Sequence, residues 1–280
     1  MEDEGWYTTS ELMQAAQLGN YDILLHAVSM SKRVSPSLTD KDGVSLLHYA
    51  AAENRNAVGS MLIKTGADMD LQDGIKGETP LHWAVRNKHF RFLEMMITRG
   101  ADINAKSLHD GFTALHIACS MGDLRLIIFL LFYDADPNIQ DRKGNTPLLW
   151  LVKYYARLQY LQENGTISID NYENTYQLIH QIIDLLLYAG ADASIPDSLH
   201  TNTALHIIAW QSSFNSILTF KIYLSGKQSV KTMNIAGKTP LQVCMEMKHI
   251  RMKVKFSFEF QIWLILEGIS GGHAQLLPHT

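Results

Sequence analysis

Only two cysteines, Cys119 and Cys244, occur in 280 residues. They lie far apart, and Cys119 falls inside a helical pattern. Both read as small buried hydrophobes of a reducing compartment, not as a disulfide framework. No Cys/His metal spacing, no Gly-rich phosphate loop and no catalytic constellation occurs, so no catalytic residue, metal ligand or cofactor is predicted. Charge is modest, with 24 Lys and Arg against 28 Asp and Glu, a net charge of −4 and a pI near 6.3. That balance gives no footprint for nucleic acid. Long apolar runs are missing too. Leu126–Tyr133 and Phe256–Leu266 are the longest, well short of the roughly 20 residues that span a bilayer. The opening Met1-Glu-Asp-Glu-Gly5 is acidic and has no apolar core, unlike a secretory signal. These absences predict a soluble, cytoplasmic, monomeric chain that inserts no segment into a membrane.

What is present is a motif that returns. It reads Ser-Leu-Leu-His at 45–48, Thr-Pro-Leu-His at 79–82 and Thr-Ala-Leu-His at both 113–116 and 203–206. The first three starts, 45, 79 and 113, give a 34-residue period, and Gly43, Gly77 and Gly111 precede them in step. Self-similarity at this period marks the ankyrin repeat, a turn followed by two helices. The predicted fold is an all-α ankyrin solenoid of about seven helix-turn-helix units with short hairpin tips. In each unit Ser or Thr caps the first helix, Pro80 sits where a missing N–H is harmless, and Leu81 points into the stack. The recurring His82 and its equivalents read as structural, bonding across neighbouring turns. The second helices carry Met61-Leu62-Ile63, Met95-Met96-Ile97 and Phe129-Leu130-Leu131. They stop at Gly66, Gly100 and Asp134, the last a strained substitute for glycine.

The ends and the middle depart from the period. Residues 1–40 form a degenerate N-terminal cap, with Leu12, Ala15, Ala16 and Ile23 at helical spacing and a break at Gly19-Asn20. Repeats fill 41–249. The step from Leu148 to Leu205 is 57 residues, so an insertion lies near 155–176. There the first helix is predicted to run through Gln162, followed by a loop and a second helix from Tyr176 to Tyr188. Residues 250–280 read as a C-terminal helix or irregular tail.

The position after each signature His should face solvent on the inner side of the stack. It holds Tyr49, Trp83, Ile117, Trp150 and Ile207. A rigid Trp in such a groove is a natural anchor for a partner; the plainer reading is that the aromatics cover neighbouring loops. Glu53, Asn54, Arg86 and Asn87 flank the row. The peptide-binding candidates are therefore Trp83, Tyr49, Glu53, Asn54, Asn87, Ile117 and Trp150.

The run Gly43-Val-Ser-Leu-Leu-His-Tyr-Ala-Ala-Ala-Glu-Asn-Arg55, with Glu78-Thr-Pro-Leu-His-Trp-Ala-Val-Arg-Asn-Lys-His89 and Asn202-Thr-Ala-Leu-His206, resembles the N-terminal ankyrin domain of the huntingtin-interacting ankyrin palmitoyltransferases. These are members of the Asp-His-His-Cys acyltransferase family. The resemblance implies a groove that recruits substrates by gripping disordered segments with an aliphatic pair followed by Gln-Pro, an aliphatic-x-x-Gln-Pro-like pattern. It implies that Trp83 stacks on the proline. The family's peptide-bonding Asn aligns with Glu53, next to Asn54, and Tyr49 stands where the family has Trp. Glu can accept from a Gln amide but cannot donate as Asn does. The family's Cys-rich catalytic domain and transmembrane helices are not among these residues. The implied function is recruitment of substrate proteins for S-palmitoylation, with catalysis elsewhere, on the cytosolic face of the Golgi or another endomembrane if the chain is joined to such a domain. The alternatives are a stand-alone ankyrin adaptor unrelated to acylation, and a segment of a longer membrane palmitoyltransferase.

Overall fold

The signature Ser and Thr residues start helices because they give the first turn a partner. In the computed structural model, which describes residues 7–30, 34–163, 169–209, 231–240 and 242–243, every regular element among the described residues is helical. Among the described residues a single bridge joins Thr39 to Ser45. The chain divides after Pro147 into two compact units.

The first unit holds four helix pairs. They are α1 (Thr9–Leu18) with α2 (Tyr21–Leu25), α3 (Leu46–Ala52) with α4 (Asn56–Lys64), α5 (Pro80–Arg86) with α6 (Phe90–Thr98), and α7 (Ala114–Met121) with α8 (Leu124–Phe132). After α2 the chain makes a π turn over His26–Met30. The first helices α1, α3, α5 and α7 pack in sequence, and α2, α4 and α6 form a second layer. Between the layers lie fully buried Leu46, Leu47, Leu62, Leu81, Phe92, Leu93, Met96, Leu115 and Leu126. Each such side chain contributes about 1.5–3 kcal/mol through burial.

A reciprocal cap opens each first helix: Thr8 with Glu11, Ser45 with His48, Thr79 with His82 and Thr113 with His116. In the last three, histidine occupies the place that Glu or Gln usually takes in this motif. Its ring then reaches the next repeat, and the geometry fixes the tautomer. His82 Nε2 lies 3.0 Å from the Phe112 carbonyl, which can only accept, so Nε2 carries the proton. The bare Nδ1 accepts from the Thr79 N–H at 3.1 Å. His48 makes the same link to Glu78 O at 2.9 Å and His116 to Asn145 O at 3.0 Å. The recurring histidines thus rivet one repeat to the next, as their periodicity predicts. Hairpin tips add a second seam, with Gly74 N–H donating to Asp42 O at 2.8 Å, Leu108 N–H to Gly77 O and Arg142 N–H to Asp110 O.

Four side-chain-bearing residues among those described, Asn54, Lys88, Asp134 and Thr201, take the left-handed conformation that glycine fills elsewhere. Lys88 (φ 58) turns the chain between α5 and α6, and Asp134 (φ 62) ends α8 where Gly66 and Gly100 end the earlier second helices. Each costs about 1–2 kcal/mol. Lys88 also bridges repeats, its ammonium 2.8 Å from Asp123.

The second unit contains most of α9 (Pro147–Glu163), α10 (Ile169–Tyr188) and α11 (Ala204–Ala209). The insertion lengthens two helices, to 17 and 20 residues, against 7–10 for the regular helices α1 and α3–α8. The expected loop running to Tyr176 is corrected here, since α10 begins at Ile169. Asp170 and Asn171 look like turn residues. Both fall in the first turn of α10. Ile179, Ile182, Ile183 and Leu186 bury the inner face of α10, and Tyr155 meets His180 edge-on at 5.8 Å. His206 repeats the rivet, reaching Lys238 O at 3.0 Å. The second helix expected for the sixth unit, the first helix of the seventh beyond Val243, and Phe256–Leu266 lie outside the described residues.

Candidate binding face

The aromatic residues after the signature histidines are built into their own repeats. The Trp83 indole N–H donates to Asp73 Oδ2 at 2.8 Å, and the Tyr49 hydroxyl donates to Asp40 Oδ2 at 2.7 Å. In both repeats the other carboxylate oxygen caps the hairpin tip. Asp73 Oδ1 accepts from the N–H groups of Ile75, Lys76 and Gly77 at 2.7–3.0 Å, and Asp40 Oδ1 from those of Asp42 and Val44 at 2.9 Å. Each aspartate thus ties a tip to a first helix. Burial works against ionisation of Asp73, but the Lys76 N–H, the indole and the Ile75 N–H outweigh it and hold the carboxyl below its ordinary range. Asp40 is also held low, its hydrogen bonds outweighing its burial. Burial and the Asp40 carboxylate push the Tyr49 hydroxyl up to about 12.

Trp83 is half-buried, and its ring is wedged edge-on against His48 at 5.4 Å and Tyr49 at 6.3 Å. Beside it, Arg86 forks onto Glu78, with Nε 2.9 Å from Oε2 and Nη2 donating to Oε1. The Glu78 side chain is only 5% exposed. Asn87 is exposed at the end of α5, and its amide donates to Trp83 O at 2.9 Å. Glu53 is the exposed C-cap of α3, and the exposed Asn54 follows it in the left-handed conformation (φ 55). The structure therefore sets Tyr49 against the Trp83 ring and ties Asn87 to the Trp83 backbone, with Glu53 and Asn54 at the matching end of the preceding helix.

Two candidates sit differently. Ile117 is 0% exposed, so it presents no surface for a ligand. It has no N–H or hydroxyl to offer a tip carboxylate, and its tip carries Ser107 where the neighbours carry aspartate, so the side chain packs inward. Trp150 belongs to the second unit, where it stacks on Tyr154 of the same helix at 5.5 Å. The tip aspartates are the residues that reasoning from the sequence alone missed. A signal for them existed: Asp40, Asp73, Asp141 and Asp197 precede the Ser or Thr caps by five or six residues. Asp197 uses it differently, taking the Lys153 ammonium of α9 at 2.6 Å.

Nothing in this arrangement presents an activated nucleophile. The Cys119 thiol is fully buried, and burial pushes its pKa far up. Among the described residues no cluster of three or more His, Cys, Asp or Glu could hold a metal ion. No helix among them is long and apolar enough to cross a membrane.

Comparison with known proteins agrees with this architecture. The three-copy ankyrin-repeat family matches residues 12–107, and the single ankyrin repeat matches residues 110–142. Palmitoyltransferase ZDHHC17 of Danio rerio is 29% identical over 279 residues, which covers 88% of this chain and 35% of the relative. The chain thus spans about a third of the length of the protein it matches. Ankyrin repeats are protein-interaction modules, and this chain carries them over residues 12–107 and 110–142 and is similar in sequence to a palmitoyltransferase.

Proposed function

We propose that the face around Trp83 binds short extended segments of partner proteins and so selects substrates for S-palmitoylation. One observation carries this reading. The indole N–H of Trp83 is already engaged by Asp73, so the ring is fixed before any ligand arrives and offers its remaining apolar surface. A rigid aromatic with its polar edge satisfied suits an apolar residue such as proline and loses little entropy on binding. Glu53 and Asn54 supply exposed polar groups one repeat away. The similarity to a palmitoyltransferase supports acylation as the purpose of recruitment, and this reading assigns none of the residues of the Trp83 face to the acyl transfer itself.

The test is a calorimetric titration with a peptide carrying the aliphatic-x-x-Gln-Pro pattern. Trp83→Ala should weaken binding by about 2 kcal/mol, roughly 30-fold. Replacing the peptide's proline with alanine should remove most of the effect of that substitution. Equal affinity for the wild-type and Trp83→Ala proteins, with both folded by circular dichroism, would dismiss the groove.

A further inference from the structure

The solvent stripes of the second helices keep strict register, which makes one departure visible. On α4 the stripe is Ala57, Ser60 and Lys64. On α6 it is Arg91, Glu94 and Thr98. On α8 it is Arg125, Ile128 and Phe132. The last two positions are polar in both earlier repeats and apolar in α8, where Ile128 is 52% and Phe132 77% exposed. They lie one turn apart on one face. Around them the surface is aromatic and preformed: Phe129 meets Tyr133 at 4.8 Å and Phe90 at 5.5 Å, and Phe132 meets Tyr133 at 5.2 Å. A contiguous exposed apolar patch of this kind marks a contact site.

The charges at its two ends say what fits. At the start of α8, exposed Arg125 lies over the Phe90 ring at 5.5 Å, and exposed Arg91 holds the matching position on α6. The nearby acids are engaged: Asp123 by Lys88 at 2.8 Å, and Glu94 by the Tyr133 hydroxyl at 3.3 Å. At the other end stand exposed Asp134 and Asp136. The ridge is therefore basic at one end, apolar in the middle and acidic at the other. An anionic lipid surface would be attracted to one end and repelled by the other. A single amphipathic helix satisfies all three zones.

We infer that the α8 ridge is a second docking site, separate from the Trp83 face, for an amphipathic helix of a partner protein. The helix carries acidic residues at the end that meets Arg91 and Arg125. Its apolar stripe runs at i, i+3 or i+4, and i+7, the spacing that seats a helix on an exposed ridge. Such a chain would hold an extended segment on the first-helix face and a helical one on the second-helix face.

The probe is a hydrocarbon-stapled helical peptide with a Leu stripe, Glu in its first turn and Lys in its last, labelled for fluorescence anisotropy against the full chain. A control peptide has Lys in place of every Glu. The double variant Ile128→Glu/Phe132→Thr installs the residues that α6 itself carries at these positions, so it should fold normally. The expected results are preference for the acidic-ended peptide, roughly tenfold or greater weakening in the double variant, and no change in Trp83→Ala. Equal binding of both peptides, or full binding by the double variant, would overturn the proposal. So would Phe132-dependent sedimentation with phosphatidylcholine–phosphatidylserine vesicles in the absence of peptide binding, or Phe132-dependent dimerisation in analytical ultracentrifugation. Those last two outcomes would give the ridge to lipid or to a second copy.

Discussion

At Trp83 two roles share one side chain, and a ring without an N–H separates them. Trp83→Phe keeps an aromatic surface but leaves Asp73 Oδ2 without its donor, on a residue only 3% exposed. Loss of a hydrogen bond to a buried carboxylate costs about 1.5–3 kcal/mol. Urea unfolding should show a loss in that range, while Tyr49→Phe should cost less because Asp40 is only half-buried. An unchanged midpoint for Trp83→Phe would mean that Asp73 finds another partner. The aromatic row itself was legible in the sequence, because Tyr49 and Trp83 occupy the same place in a 34-residue period. Its acceptors were not, because an aspartate in a turn explains itself locally and gives no hint that its second oxygen reaches a helix. Ile117 was misjudged for a related reason. Register says which face a residue starts from, but whether that face stays open depends on what its tip offers.

Helix pairs are where the sequence was most readable, since caps, stops and apolar spacing all repeat. What periodicity hides is how closely two helices approach. Gly59 stands in the middle of α4, where alanine would normally add about 1 kcal/mol of helix stability. A Cβ there would lie 2.6 Å from Cε2 and 2.7 Å from Cζ of Phe92, whose ring is fully buried in α6. The ring has no free space to yield, so overpacking at about 1–3 kcal/mol should win over propensity. Gly59→Ala is therefore expected to lower the melting temperature, and a rise would show that α4 and α6 can separate without cost. The insertion teaches the same lesson from the opposite direction. Local turn residues Asp170 and Asn171 argued for a loop. Yet helix α10 runs through them, because Ile179, Ile182, Ile183 and Leu186 give it a buried stripe worth more than the turn preference of its first residues.

Across the chain the histidine rivets make stability a function of pH, in a window that the carboxylates do not share. Burial lowers the pKa of His48, His82, His116 and His206 below the ordinary 6.5, against the pull of nearby Asp73, Asp40 and Glu78 at His48, Glu78 at His82, Asp141 at His116 and Asp197 at His206. Arg86 at His82 and Lys106 at His116 add to the lowering. Protonation would also set a new N–H on Nδ1 against the backbone N–H that it now accepts. The unfolded chain therefore binds protons at these sites before the folded chain does. The stabilisation is complete above pH 6.5 and is lost as pH falls through the lowered values. The carboxyls of Asp40, Asp73, Asp123 and Asp197 are held below the ordinary 3.8, so their contribution is present above pH 3.8 and fails only in stronger acid. Urea midpoints should thus be level above about pH 7, begin to fall as pH drops below about 6.5, and lose the carboxylate contribution only below about pH 4. His116→Asn should be less stable at neutral pH and show a shallower first fall, because one rivet no longer titrates. A level midpoint between pH 7.5 and 5 would mean that the folded rings take up protons as readily as the unfolded ones, and the rivets would then be held by packing and not by their tautomer.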